Sequence, residues 1–197
     1  MNKILNSLIK NYFIKSIVAG VLIGMAGIIS AQYNHPEIIF PVGLICIILS
    51  RNLLYTGCIG HFSIKEKYKV LLYILLGNFI GVVLTLYYAH YYIDFILFQN
   101  IITYKENVDI IKYFVSSIFC GMLMCTATSI NKDKNIIVVI MCVAAFIIGK
   151  FEHSIANMFY LGINGYSLKD ILLILIAIIG NAIGAKIMYT TERIKAI

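Results

Sequence analysis

Six apolar stretches, at about 16–31, 38–60, 70–93, 110–130, 136–163 and 171–190, take up most of the chain, and short polar segments separate them. At about 1.5 Å per helical residue, each can cross a hydrocarbon core of ~30 Å. Inside such a core every backbone N–H and C=O needs a partner within the protein, which leaves helices as the spanning structure for segments of this length. The composition agrees, with 61% of the 197 residues hydrophobic and 13% charged, where soluble domains run near ~45–50% and ~25%. The expected fold class is an all-α integral membrane protein of six spans, forming a single transmembrane domain over residues 1–197.

The net charge of +7 does not point to nucleic acid. A nucleic-acid binder carries a continuous basic face, whereas these lysines stand in small groups between apolar runs, where they meet lipid headgroups. Six spans put both termini on one side of the membrane. That side carries Lys3, Lys10, Lys15, Lys65, Lys67, Lys69, Lys132, Lys134, Arg193 and Lys195. The other carries Glu37, Asp94, Glu106, Asp109 and Asp170 against Lys105, Lys112 and Lys169. The positive-inside bias assigns both termini to the cytoplasm and the chain to the cell membrane. Within residues 1–15, Ile4, Leu5, Leu8, Ile9, Tyr12 and Phe13 share a helical face away from Lys3 and Lys10; this pattern predicts an amphipathic helix on the membrane surface. The five cysteines lie inside apolar runs with no CxxC and no histidine at ligand spacing, so they read as packing residues, and no metal or cofactor is implied.

Two stretches differ from the rest. The second is apolar from Ile38 to Ser50, is interrupted at Arg51-Asn52, and resumes as LLYTGCIG; the fifth is apolar from Ile136 to Gly149, is interrupted at Lys150-Phe151-Glu152-His153, and resumes as SIANMFYLGI. Ionisable groups at mid-membrane depth are costly unless they face a cavity, a partner or water. Both stretches are therefore expected to be broken helices around a protein-enclosed cavity. They hold matching places, second of the first three spans and second of the last three. Gly77-Asn78-Phe79-Ile80-Gly81 in the third span also recurs as Gly180-Asn181-Ala182-Ile183-Gly184 in the sixth. A three-span unit repeated once runs in opposite directions through the membrane, the inverted repeat of channels and transporters.

Glu152-His153 is the pair best suited to chemistry, because a histidine titrates near ~6.5 unperturbed and its surroundings can move it across neutral pH. Thr56 supplies a hydroxyl in the other interruption. The string FEHSIANMF at 151–159 resembles the signature of the formate/nitrite transporter family, pentameric channels for small monovalent anions with an aquaporin-like fold. LYTG at 54–57 resembles that family's threonine-bearing loop, and GNFIG and GNAIG resemble its third and sixth helices.

The resemblance implies that His153 is the central pore histidine and that Thr56 faces it. It implies apolar constrictions at Phe40, Leu44, Leu54, Tyr55, Met124 and Phe146, and a vestibule lysine at Lys105. It also exposes departures. Arg51 and Lys150 stand where the family has glycines, Leu53 where it has an acidic residue, and Gly121 where it has asparagine. Arg51, Lys150 and Glu152 join the expected substrate pathway, the two new cations bringing positive potential to it and one of them pairing with Glu152. The function so implied is a channel or proton-linked transporter for a small monovalent weak-acid anion such as formate, nitrite or hydrosulfide. Its partners would be the anion, a proton and membrane lipid in a homopentamer. A substrate-capture subunit of a vitamin importer is the rival reading, since it shares size, charge and span number but needs no broken helices. No HExxH or GxSxG motif supports an enzyme.

Overall fold

A computed structural model describes residues 2–61, 64–131 and 133–194. Lys132 and Lys195 lie outside the described residues, as do the side chains of Lys3, Lys65 and Lys67 and the apolar face of residues 4–9. The elements run α1 (Asn2–Ala31), α2 (Pro36–Ile39), α3 (Pro41–Leu49), α4 (Tyr55–Cys58), α5 (Ile64–Tyr92), α6 (Gln99–Asn107), α7 (Ile110–Cys125), α8 (Ile136–Ile148), α9 (Ser154–Gly162) and α10 (Leu168–Glu192). A 3₁₀ turn at Phe95–Phe98 leads into α6, and a π-helical segment at Thr126–Ile130 ends α7.

Among the described residues, four helices are long and apolar enough to cross a membrane, over Lys10–Ala31, Lys69–Tyr92, Ile110–Ile130 and Leu168–Glu192. The second and fifth apolar stretches are each in pieces, as the interruptions predict. α3 and α4 flank a non-helical hinge at 50–54, and α8 and α9 flank one at 149–153. The chain is a multi-pass membrane protein. One expectation changes. The helix through residues 2–31 has no joint near residue 15, so the N-terminal segment continues into the first span as one helix. The outer connection between the third and fourth spans holds α6, whose inward face buries Ile102 and Lys105.

α1 packs on α5 and α7 packs on α10. The GNxIG echo explains both pairings. A Cβ on Gly81 would overlap the Ile17 carbonyl of α1, and one on Gly184 the Ile118 carbonyl of α7, so only glycine allows the backbones to meet. α9 lies between the pairs, and Ser154 through Leu161 are all buried. α9 is thus enclosed on every side, its Ser154 and Asn157 included, and is the core of the fold. Tyr87, Tyr91, Tyr92, Leu175 and Ile179 point outward from the long helices, as a lipid-facing surface requires.

Candidate functional site

The two hinges share one backbone design. After α3, Arg51 N–H donates to the Ile48 carbonyl and Asn52 N–H to that of Ile47; after α8, Lys150 N–H donates to Ile147 and Phe151 N–H to Phe146. Each is a Schellman helix end, whose turning residue adopts a left-handed backbone. Arg51 (φ 56°) and Lys150 (φ 52°) are those residues. The resemblance puts glycine at both positions, which fits the geometry, since glycine takes positive φ freely.

Beyond each hinge the chain is extended at one residue and then turns into the second half-helix. Those residues are Leu54 (φ −101°, ψ 131°) and His153 (φ −94°, ψ 117°). An asparagine clasps each hinge. Asn78 Oδ1 accepts from Tyr55 N–H at 2.8 Å, while its amide donates to the Ser16 and Leu53 carbonyls at 2.8 and 2.9 Å. Asn181 Oδ1 accepts from Ser154 N–H, and its amide donates to the Ser117 and Glu152 carbonyls, all at 2.8 Å. Leu54 and His153 therefore occupy equivalent places, one apolar and one titratable.

His153 is 2% exposed. Its Nδ1 accepts from Ala156 N–H at 3.1 Å and caps α9. In the neutral ring the proton then sits on Nε2, which donates to Thr56 Oγ1 at 2.9 Å. This hydrogen bond joins the two broken helices. The imidazole also stacks on Phe146 with centroids 5.8 Å apart, and Phe146 meets Phe40 edge-on at 5.6 Å.

Glu152 is 1% exposed, and its carboxylate is held by a lysine from another element. Oε2 accepts from Lys105 Nζ at 2.5 Å and from the Asn157 amide at 2.8 Å. The same amide donates to Tyr113 Oη at 2.6 Å. Glu152 thus pairs with Lys105 and with neither hinge cation, contrary to expectation. The physical reason is reach: α6 folds inward and brings Lys105 over the Tyr160 ring at 5.9 Å, beside the carboxylate.

An open cavity of about 320 Å³ leads toward these groups, lined among others by Phe40, Tyr104, Lys105, Phe146, Lys150 and Tyr160. Lys150 Nζ stands 4.7 Å from the Tyr104 centroid. Arg51 does not line this cavity; it is exposed at the other hinge, so the two cations do not converge. Leu44, Leu54, Tyr55 and Met124 are all buried, Leu54 and Tyr55 flanking the start of α4 next to Thr56. Sequence reasoning missed Asn78, Asn181, Asn157, Tyr113 and Tyr104. The first two stood in the GNxIG echo, read for its glycines alone, and Asn157 stood in the FEHSIANM string. Nothing in the sequence marked Tyr113 or Tyr104.

A family model described as formate/nitrite transporter matches residues 1–192. A formate-nitrite transporter of Plasmodium ovale is 25% identical over 196 aligned positions, covering 76% of this chain. The chain spans 63% of that relative's length. A solved structure described as an FNT family ion channel superposes with a TM-score of 0.81 at 20% identity, covering 92% of this chain and 88% of the other. A pentameric formate channel with formate bound superposes with a TM-score of 0.78 at 19% identity, covering 94% and 96%. The fold is that of these channels.

Proposed function

The chain belongs to the formate/nitrite transporter family, and from that premise we propose that it is a channel or proton-linked transporter for a small monovalent weak-acid anion. The observation that carries this reading is the 2.9 Å hydrogen bond between His153 Nε2 and Thr56 Oγ1, made where two broken helices meet. A vitamin-binding subunit needs neither the breaks nor the buried pair. The solved relative described as pentameric supports a homopentamer with a pathway in each subunit, and the lysine distribution supports a cell-membrane location with both termini cytoplasmic. The two half-repeats then run inverted through the bilayer.

The mechanism follows from the cost of charge. A bare anion at mid-membrane is expensive. Lys150 and Lys105, on the wall of the open cavity, draw the anion in. Glu152 compensates the charge of Lys105, so Lys150 supplies the excess positive potential. Phe40 and Phe146 share that cavity's lining, and farther in the walls are the apolar side chains Leu44, Leu54, Tyr55 and Met124, with few partners for an ion. Desolvation raises the pKa of the acid, so the neutral acid becomes the form that passes. His153 Nε2–H, hydrogen-bonded to Thr56 Oγ1, is the donor at hand, and a proton passed on there is replaced from water, so the imidazole stays neutral. Arg51 acts at the other hinge as the cation met by an anion from that side.

Purified protein in liposomes tests this. Formate, nitrite, hydrosulfide, lactate and acetate gradients are applied at two pH values. Flux of at least one of them, faster at the lower pH, is the expected result. A tight-binding, non-conducting protein would overturn the reading.

A further inference from the structure

α4 has four residues, Tyr55–Cys58, and carries Thr56. A helix that short cannot hold itself, because forming the first turn is unfavourable and little propagation follows to repay it. α9, which carries the matching segment of the other half, has nine residues. Fasteners from outside must therefore hold α4. Asn78 holds its first N–H. At its far end the Gly57 carbonyl accepts from Ser129 Oγ at 2.7 Å. Ser129 belongs to the π-helical segment Thr126–Ile130 that ends α7, and such turns re-aim side chains, often at functional sites. Thr128 from the same segment packs against Gly57, where an added Cβ would meet it at 3.2 Å.

Ser129 is in turn held by His61, whose Nδ1 lies 3.1 Å from Ser129 Oγ. The serine proton is committed to the Gly57 carbonyl, so Ser129 Oγ accepts at this contact and His61 Nδ1 carries a hydrogen. Around the imidazole stand Ser129, with Cys125 one helical turn before it, and Tyr189 of α10 with its ring 6.1 Å away. Glu192 and Arg193 follow on the same helix end, Arg193 lying 5.7 Å over the Tyr189 ring.

We propose that His61 is a positioning residue for Thr56: through Ser129 it fixes the Gly57 carbonyl, and with it the hydroxyl that meets His153. The chain of bonds runs His61 Nδ1–H, Ser129 Oγ–H, Gly57 C=O. It ends on a carbonyl oxygen, which has no proton to pass on, so the route positions and does not conduct. The imidazole keeps its Nδ1–H whether neutral or charged, and the hold persists through the titration of His61. The consequence for transport rests on the anion-channel reading above.

The test compares wild type with His61→Ala, His61→Asn, Ser129→Ala and the double alanine variant in liposomes with a formate gradient. Each protein is also followed by ¹⁵N NMR of its imidazole rings. His61→Ala and Ser129→Ala should each lower formate flux about three- to tenfold, the factor one hydrogen bond is worth. The double variant should be no worse than either single one. His61→Asn, whose amide N–H can reach Ser129 as Nδ1–H does, should keep both the flux and its pH profile. The His153 Nε2 signal should move in Ser129→Ala and not in His61→Asn. Additive losses, or an unmoved His153 signal in Ser129→Ala, would overturn the proposal. Loss of only the acid-stimulated flux in His61→Asn would do so too, since it would make His61 a proton carrier. If wild type moves no anion, the channel reading falls, and the His153 signal alone still decides the role of His61.

Discussion

Asn78 and Asn181 make the same three hydrogen bonds, one in each half of the molecule. Each takes the first N–H of a short inner helix and gives its two amide hydrogens to a long helix and to the hinge. A carboxamide is suited to this, since it offers an acceptor and two donors from one rigid plane. Leucine at either position would leave the first N–H of the inner helix and the hinge carbonyl unpaired, and would take a second donor from a carbonyl of the long helix. Asn78→Leu and Asn181→Leu should therefore each cost about 2–4 kcal/mol, given ~1 kcal/mol or more per orphaned group. Thermal unfolding in detergent measures it. Equal losses are expected from equal bonding, and a stable Asn181→Leu protein would mean that the clasp is redundant.

The ion pair of Lys105 with Glu152 yields a second prediction. Breaking a buried pair from one side leaves an uncompensated charge and costs about 3–5 kcal/mol, whereas replacing both partners with neutral groups costs far less. Lys105→Met should destabilise strongly, and Lys105→Met with Glu152→Gln should recover most of the loss. The same unfolding measurement shows it. If the double variant is as unstable as the single, Asn157 and Tyr113, which share the Glu152 network, depend on the charge itself.

Much of this arrangement was legible in the chain because membrane burial writes charge placement into sequence. An ionisable group in the middle of an apolar run has few structural explanations, and both hinges followed from the interruptions at Arg51-Asn52 and Lys150-Phe151-Glu152-His153. His153 stood in the second interruption and the resemblance set Thr56 facing it; their side chains lie 2.9 Å apart. The partner of Glu152 was not legible. It comes from α6, in a connection whose polar composition reads as loop, and no local pattern says that such a helix folds inward. Tyr113 and Tyr104 were hidden for another reason. Aromatic residues are common at membrane surfaces, and Tyr in this chain is abundant, so two that turn inward carry no mark. The left-handed backbone at residues 51 and 150 was equally invisible, because lysine and arginine argue against it.

That backbone allows stability and transport to be separated. A non-glycine residue in the left-handed region costs about 1–2 kcal/mol. Lys150→Gly should relieve that cost and raise the unfolding temperature. It also removes the cation over Tyr104 and should lower anion flux severalfold, most steeply at low ionic strength, where charges attract over longer distances. Arg51→Gly should stabilise similarly and affect flux only from its own side. A Lys150→Gly protein that is both more stable and equally active would make Lys150 a spectator of the cavity.

His153 supports the most direct prediction. Its Nδ1 caps α9 through Ala156 N–H, and its Nε2 points at Thr56. Asparagine is a good cap, because its carbonyl oxygen can accept the same N–H. His153→Asn should therefore keep α9 in place while removing the one ring in the pair that can give up and regain a proton. Flux in wild type should rise as the pH falls and more of the transported acid carries a proton. In His153→Asn that rise should be lost, or anion should move without an accompanying proton. Thr56→Val removes a hydroxyl and no charge, so its loss should be milder, near the three- to tenfold of one hydrogen bond, with the pH profile retained. Flux against pH, measured for all three proteins in the same liposomes, gives the answer. Curves for wild type and His153→Asn that coincide would reduce His153 to the cap of α9, and would leave bulk water, under the field of Lys150, as the source of the proton.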